Sequence, residues 1–435
     1  MFPTHVFPET ATADAAGRLL IGGCDVAALA QEYGTPLYIF DEDMLRNRCR
    51  EFLNEFRSLY PNTDVVYACK AYVNPALARI FMEEGLGLDV VSGGELAIAQ
   101  AVGYPSESVC FHGNNKGPQE LQDAVRWGIG TVALDSFHEI ELLEQIAGEA
   151  GTVQEVLVRV SPGVDAHTHA HTTTGILDSK FGFPIQTGQA EEAVLKVLRS
   201  PHLKLKGLHF HLGSPIFELE PYRMGLEVVL EFASRLREDG LDLQELSPGG
   251  GFAIAYTRDQ EPPTIAQYAE AITGTLSDTC RSLGMDLPQL VIEPGRSITG
   301  PAGVALYRVG AVKDIPGVRK YISVDGGMGD NIRPALYEAA YEAVVPGKLN
   351  TEPTDLVTIA GKYCESGDVL VRDVKLPPVE ADDIIAIPAA GAYCLSMAST
   401  YNLNPRPPIV LVKDGSARLI RRRESYQDMM LCDVV

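Results

Sequence analysis

Eight cysteines are scattered through the 435 residues without a single C-x-x-C pair, which removes the usual zinc and disulfide-exchange spacings. Thiols placed this way predict reduced, mostly buried cysteines in a cytoplasmic protein. No apolar run reaches the roughly 18 residues of a membrane helix. The most apolar late stretch, Ile384 to Ala398, is broken by Pro388 and Gly391. The opening MFPTHVFPETATADAAG has no basic segment followed by an apolar one, so no secretory leader is expected. Basic side chains are also scarce, 36 against 58 acidic ones, giving a formal net charge of -22. That field repels phosphate backbones and anionic lipid, so neither nucleic acid nor a membrane surface is expected as a partner, and the acid excess reads as solubility.

What is present is an alternation. Short apolar runs occur at Val65–Cys69, Leu88–Val91, Val109–His112, Val132–Leu134, Val156–Val160, Leu205–His211, Leu243–Leu246 and Leu290–Ile292. Between them lie stretches with apolar spacing of three and four, such as Pro75–Glu84, Leu121–Trp127 and Ile265–Leu283. Eight such strands with linking helices predict an α/β fold, a (β/α)₈ TIM barrel. After Arg296 the texture becomes β-rich and is cut by Pro, Gly and Asp-Gly turns, in YISVDGG, LVTIAGKYC, DVLVRDVKL, DDIIAIPAAGAY and PPIVLVKDGSARLIRRR. A second, mostly antiparallel β domain is expected there. The expected division is 40–301 for the barrel and 302–435 for the β domain, with 1–39, including LLIGG, contributing to the latter.

Barrel chemistry sits at the C-terminal strand ends, and here those ends are polar or glycine-rich. They carry Lys70, Ser92-Gly93-Gly94, His112-Gly113-Asn114, Arg159, His209 to Ser214, Gly249-Gly250-Gly251 and Glu293-Pro294-Gly295-Arg296. Lys70 either reaches solvent or, in a partly apolar mouth, supplies a deprotonated amine for a Schiff base. The Gly249–Gly251 and Gly295-Arg296 segments are either tight turns or a phosphate cradle, to which Ser214 could add a hydroxyl. Glu293 could keep a cofactor's ring nitrogen protonated or simply pair with Arg296. His209 and His211 are two apart, so strand alternation cannot choose which of them would stack on a ring. The alternate histidines His167, His169 and His171 lack a further ligand motif and read as a loop, so no metal is expected.

These residues sit in longer motifs: GTPLYIFDE (34–42), YACKAY (67–72), LDVVSGGEL (88–96), FHGNNK (111–116), SPGVDAHTHAHTTTGILDSKFGF (161–183), HFHLGS (209–214), GGGF (249–252), EPGRS (293–297), DGGMGDNIRPALY (325–337), GKYCESGD (361–368) and GAYCLSMASTYN (391–402). GGG alone is common, whereas CESGD together with EPGR and the Lys70 motif is specific. Over nearly its whole length the chain resembles the fold-type III, alanine racemase-like decarboxylases that depend on pyridoxal 5'-phosphate (PLP), in particular those acting on meso-diaminopimelate.

The resemblance implies release of CO₂ from meso-diaminopimelate to give L-lysine, in a homodimer with shared active sites. It makes Lys70 the Schiff-base lysine, His211 the residue stacked on the PLP ring and Glu293 the partner of the ring nitrogen. Ser214, Gly250, Gly251, Gly295 and Arg296 would line the phosphate region, with Tyr393 near the cofactor. Cys364 would be the proton donor, reaching in from the partner subunit. Arg296, Arg333, Tyr337, Glu365 and Tyr393 would bind substrate. Three places in the chain depart from the common pattern: Tyr72 in place of Asn, Pro215 in place of Gln, and Ser247-Pro248 where Asp or Asn usually precedes the glycines. The rival readings are a same-fold decarboxylase of ornithine, arginine or a carrier-linked glutamyl group, a same-fold amino-acid racemase, and a catalytically dead regulatory relative. Glu293 at the ring nitrogen speaks against the racemase, and intact Lys70, Glu293 and Cys364 against the dead relative.

Overall fold

The structure, a computed structural model, describes residues 2–165 and 179–434. His167, His169 and His171 lie outside the described residues. Contacts divide the chain into two units. One comprises Cys49–Ala253 with Pro262–Gly295; the other comprises Met1–Arg48, Ile254–Glu261 and Arg296–Val435.

The first unit is the expected barrel. Its strands are Thr63–Ala68, Gly87–Val90, Val109–Phe111, Thr131–Leu134, Gln154–Ser161, Leu203–His209, Glu245–Gly249 and Gln289–Ile292. Neighbours pair in parallel around the ring, and the pairing of strand four with strand five, Val132 opposite Val156, completes the circuit. Strand four is buried at every residue because the interior covers one face and helices the other, which is why it reads as a continuous apolar run. Among the described residues seven helices link the strands, including Pro75–Glu83, Pro118–Trp127 and Ile265–Leu283. Their starts are set locally: the side chains of Asn74, Ser92, Ser136 and Thr264 accept from backbone N–H groups of the first turn.

Strand seven departs from the expected Leu243–Leu246. It begins at Glu245 and continues through Pro248 to Gly249, with a register shift between Leu246 and Gly249. A proline lacks the ladder donor, and it is accommodated here because the ladder is already interrupted.

The second unit is built on an eight-stranded, mostly antiparallel sheet. Its order is Val369–Leu376, Asp355–Ala360, Arg319–Val324, Gly303–Ile315, Leu37–Asp41, Ile409–Lys413, Ser416–Arg421, with Ile384–Ile387 also paired to the long Gly303–Ile315 strand. The LLIGG strand does not join this sheet. Leu19–Ile21 forms a small sheet with Thr12–Ala13 and Cys24–Asp25. Leu19 and Ile21 still belong to the same buried cluster as Leu37, Val304, Leu306 and Val410. No helix among the described residues is long and apolar enough to cross a membrane.

Candidate active site

Lys70 follows strand one by two residues, and its side chain is 39% exposed. The ammonium lies 3.8 Å from a carboxylate oxygen of Asp89, which is buried inside strand two. Neither oxygen of Asp89 accepts a hydrogen bond. A second barrel lysine, Lys116, is in the opposite situation. It is 5% exposed and donates to Gly113 O (2.8 Å), Ala133 O (2.7 Å) and Glu139 Oε1 (2.7 Å).

Glu293 directly follows strand eight and is buried. The Ser247 hydroxyl donates to its Oε1 at 2.7 Å and itself accepts from Gly249 N at 3.1 Å. His209 Nε2 is 3.2 Å from its Oε2, and His112 Nε2 is 3.6 Å from its Oε1. The two imidazoles meet edge to face at 4.6 Å. Burial holds both neutral, His112 down to about 4 and His209 well below the ordinary histidine value. A neutral His209 can then donate from Nε2 to the carboxylate, which leaves its buried Nδ1 without a partner. Polar atoms of His112, His209 and Glu293 all lie within 4.8 Å of one another, a spacing open to a metal ion. The hydrogen bonds around Glu293 give the same cluster an anchoring role instead. His211 takes no part in it. Its Nδ1 has no partner, and its ring lies so close to Gly249 that a Cβ there would stand 2.7 Å from Nδ1.

The glycines before helix Ile265–Leu283 form a backbone-walled cradle. A Cβ at Gly250 would sit 2.2 Å from Glu293 O, and one at Gly251 would sit 2.6 Å from Gly213 O. Gly249 and Gly251 also have positive φ, 74° and 111°. The Tyr222 hydroxyl donates to Gly250 O at 2.9 Å, and Ile216 N donates to Gly251 O at 2.8 Å, tying the HLGS loop to the glycine loop. That pairing leaves Ser214 exposed beside the cradle. Gly295 is required by close packing, since a Cβ there would lie 3.0 Å from Ala68 O. A bare-backbone cradle, an amine and a clamped buried carboxylate at one set of strand ends match the phosphate, aldehyde and ring nitrogen of PLP.

The remaining expected site residues belong to the sheet unit. Arg296 and Arg333 are both buried there. Arg296 donates to the Tyr256 hydroxyl at 2.6 Å, with its guanidinium 4.6 Å from the Tyr393 ring centroid. Arg333 donates to the Tyr341 hydroxyl and lies 4.5 Å over the Tyr256 ring. Burial opposes the Arg333 charge, but Tyr256, Tyr341 and Cys394 outweigh it and raise its pKa. The Arg333–Tyr337 stretch is helical, yet Tyr337 is 61% exposed while Arg333 is 7% exposed. The helix is a single turn that stops at Glu338 in the left-handed conformation, so the two ends meet different surroundings. Cys364 is exposed, on the turn between strands Asp355–Ala360 and Val369–Leu376. Asp368 holds this turn by accepting from Met328 N (2.7 Å) and Tyr363 N (2.8 Å), and Cys364 N donates to Asn402 Oδ1 at 2.9 Å. Glu365, in the same turn, accepts from Gly367 N at 3.3 Å.

Residues 43–300 match the family model for the pyridoxal-binding domain of pyridoxal-dependent decarboxylases. The chain is 46% identical to the diaminopimelate decarboxylase of Bacillus subtilis (strain 168), covering 96% of this chain and 95% of that one. The chain belongs to the pyridoxal-dependent decarboxylase family. Within it, the diaminopimelate decarboxylase of Mycobacterium tuberculosis (H37Rv) is 44% identical over 99% of this chain and 98% of its own. The fold agrees: a structure of diaminopimelate decarboxylase from M. jannaschii in complex with L-lysine superposes with a TM-score of 0.93 at 35% identity, over 98% of both chains.

For a pyridoxal-dependent decarboxylase, the sequence reading missed three residues around the barrel site. Asp89 carried a signal, a lone acid inside an apolar strand, whereas His112 stood among several polar strand ends. Ser247 was noted only as a departure from the usual Asp or Asn, yet its hydroxyl joins the glycine loop to Glu293. Ser247→Ala removes a hydrogen bond to a buried carboxylate, so cofactor affinity is expected to fall roughly tenfold with little change in fold. Titration of apoprotein with PLP, monitored by absorbance, measures this directly.

Proposed function

We propose that this protein decarboxylates meso-diaminopimelate to L-lysine and CO₂, the last step of lysine biosynthesis, in the cytoplasm and as a homodimer. The observation that carries the reading is the coincidence of a partly exposed lysine, a clamped carboxylate and a glycine cradle at the C-terminal ends of one barrel. The names of the relatives and the two buried arginines support the choice of substrate.

In this reading Lys70 would hold the cofactor through its amine, with Asp89 beside the lysine to balance its charge. Bound there, PLP supplies an electron sink for the pair left behind when CO₂ departs. Glu293 keeps a proton at the ring nitrogen, while Ser247 and His209 hold that carboxylate still. Because His209 is committed to Glu293, His211 is the histidine left to lie on the ring. Backbone N–H groups of Gly250, Gly251 and Gly295, with Ser214 and Arg296, take the phosphate, and Tyr393 contributes to cofactor binding.

Cys364 donates the proton that replaces CO₂. Arg296, Arg333, Tyr337 and Tyr393 bind the distal carboxylate, and Glu365 the distal ammonium. Cys364 and Glu365 act on the partner subunit's site.

Side-by-side CO₂-release assays with meso-diaminopimelate, ornithine and arginine test the function. Comparable turnover of ornithine or arginine would overturn the substrate assignment. The shared site makes a separate prediction. Mixing inactive Lys70→Ala and Cys364→Ala chains under subunit exchange is expected to restore up to about a quarter to a half of wild-type activity, because a mixed dimer has one intact site. Continued inactivity in demonstrated mixed dimers would show that Cys364 does not act across subunits.

A further inference from the structure

We infer that Tyr256 is a positioning residue that fixes the two substrate-side guanidiniums relative to each other, and thereby makes the site select a ligand with a distal carboxylate. The inference rests on the substrate reading proposed above.

Tyr256 contacts both arginines by different means. Its hydroxyl accepts from Arg296 at 2.6 Å, and its ring face lies 4.5 Å from the Arg333 guanidinium carbon. Its ring also meets that of Tyr341 edge to face, at 5.3 Å and 83°. Tyr341 in turn accepts a hydrogen bond from Arg333, so each tyrosine restrains that guanidinium from a different direction.

The backbone of Tyr256 is equally constrained. Its N–H donates to Gln260 Oε1 at 2.8 Å, and its carbonyl accepts from Glu342 N at 3.3 Å. The Glu342 carboxylate grips Arg258, two residues along, through Nε at 2.9 Å and Nη2 at 2.7 Å. The segment therefore presents Tyr256 as a fixed wedge.

An aromatic face attracts a cation without neutralising it. Among the described residues no carboxylate stands within ion-pair distance of Arg333, and the Tyr341 hydroxyl takes only one of its five N–H donors. The guanidinium is thus held in place with its charge and most of its donors still available. A carboxylate bound by such forks is recognised through the angle and spacing of two planar groups, which is the quantity Tyr256 sets.

The test compares equilibrium binding of L-lysine and cadaverine to the PLP-loaded enzyme by calorimetry. Cadaverine has the same chain and both amines but no carboxylate. The wild type is expected to favour L-lysine. Tyr256→Phe keeps the ring and removes the hydroxyl. It should weaken L-lysine roughly tenfold, leave cadaverine unchanged, and raise KM for diaminopimelate by a similar factor with kcat changed much less. Tyr256→Leu removes both contacts and should erase most of the preference.

If the wild type does not favour L-lysine over cadaverine, the substrate reading itself fails. If the wild type discriminates and Tyr256→Phe keeps the same ratio, the inference about Tyr256 is overturned while the substrate reading stands. An equal loss for both ligands in the phenylalanine variant also overturns it, because the tyrosine would then support the fold and not the carboxylate contact.

Discussion

Lys70→Ala is expected to yield a folded protein that does not retain PLP through gel filtration and is slower by on the order of a thousandfold or more. The size of the effect follows from two losses in one substitution: the covalent attachment and the amine that exchanges with substrate. The fold should survive, because the side chain is 39% exposed and Asp89 is the carboxylate placed beside it. Borohydride reduction of the wild type followed by peptide mapping should mark Lys70 as the attachment point. A mark on another lysine, together with a Lys70→Ala protein that still binds cofactor covalently, would overturn the assignment.

Arg333→Ala is expected to lower kcat/KM on diaminopimelate by roughly a hundredfold or more, with little effect on any residual turnover of ornithine. A substrate carboxylate left in a buried site without its guanidinium forfeits about 3 kcal/mol, and each 1.36 kcal/mol is about a factor of ten. Arg333 is 7% exposed, so water cannot readily replace it. Arg333→Lys should recover only part of the loss, since an ammonium keeps the charge without the planar fork. Steady-state kinetics on both substrates distinguish this from general damage, which would depress both equally. Unchanged diaminopimelate kinetics in Arg333→Ala would remove Arg333 from substrate recognition.

The barrel was legible because its signal is periodic. Each apolar run from Val65 to Ile292 coincides with or overlaps a strand, and the helix starts carry their own caps. The Gly303–Ile315 strand was harder to see. Its first residues are buried in succession and its later ones are exposed in succession, so strict alternation never develops. Strand ends pointed to Lys70, Glu293 and the glycines, but the hydrogen bonds among Ser247, His209 and Glu293 join three separate strand ends and depend on side-chain conformation. The same limit applied to Arg333 and Tyr337. The motif named both residues, but the helix that carries them, its one-turn length and the different surroundings at its two ends belong to tertiary structure.

The three acceptors around Lys116 have a consequence for chemoselectivity. Lys70 and Lys116 follow strands one and three, yet attack on an aldehyde requires a nitrogen lone pair, which an ammonium donating to Gly113 O, Ala133 O and Glu139 does not offer. The Lys116–Glu139 ion pair is buried, so separating it would strand the carboxylate of Glu139. If Lys70 is the attachment point, as proposed, the barrel needs no recognition of the carbonyl itself to keep it off Lys116, because three acceptors already engage that amine.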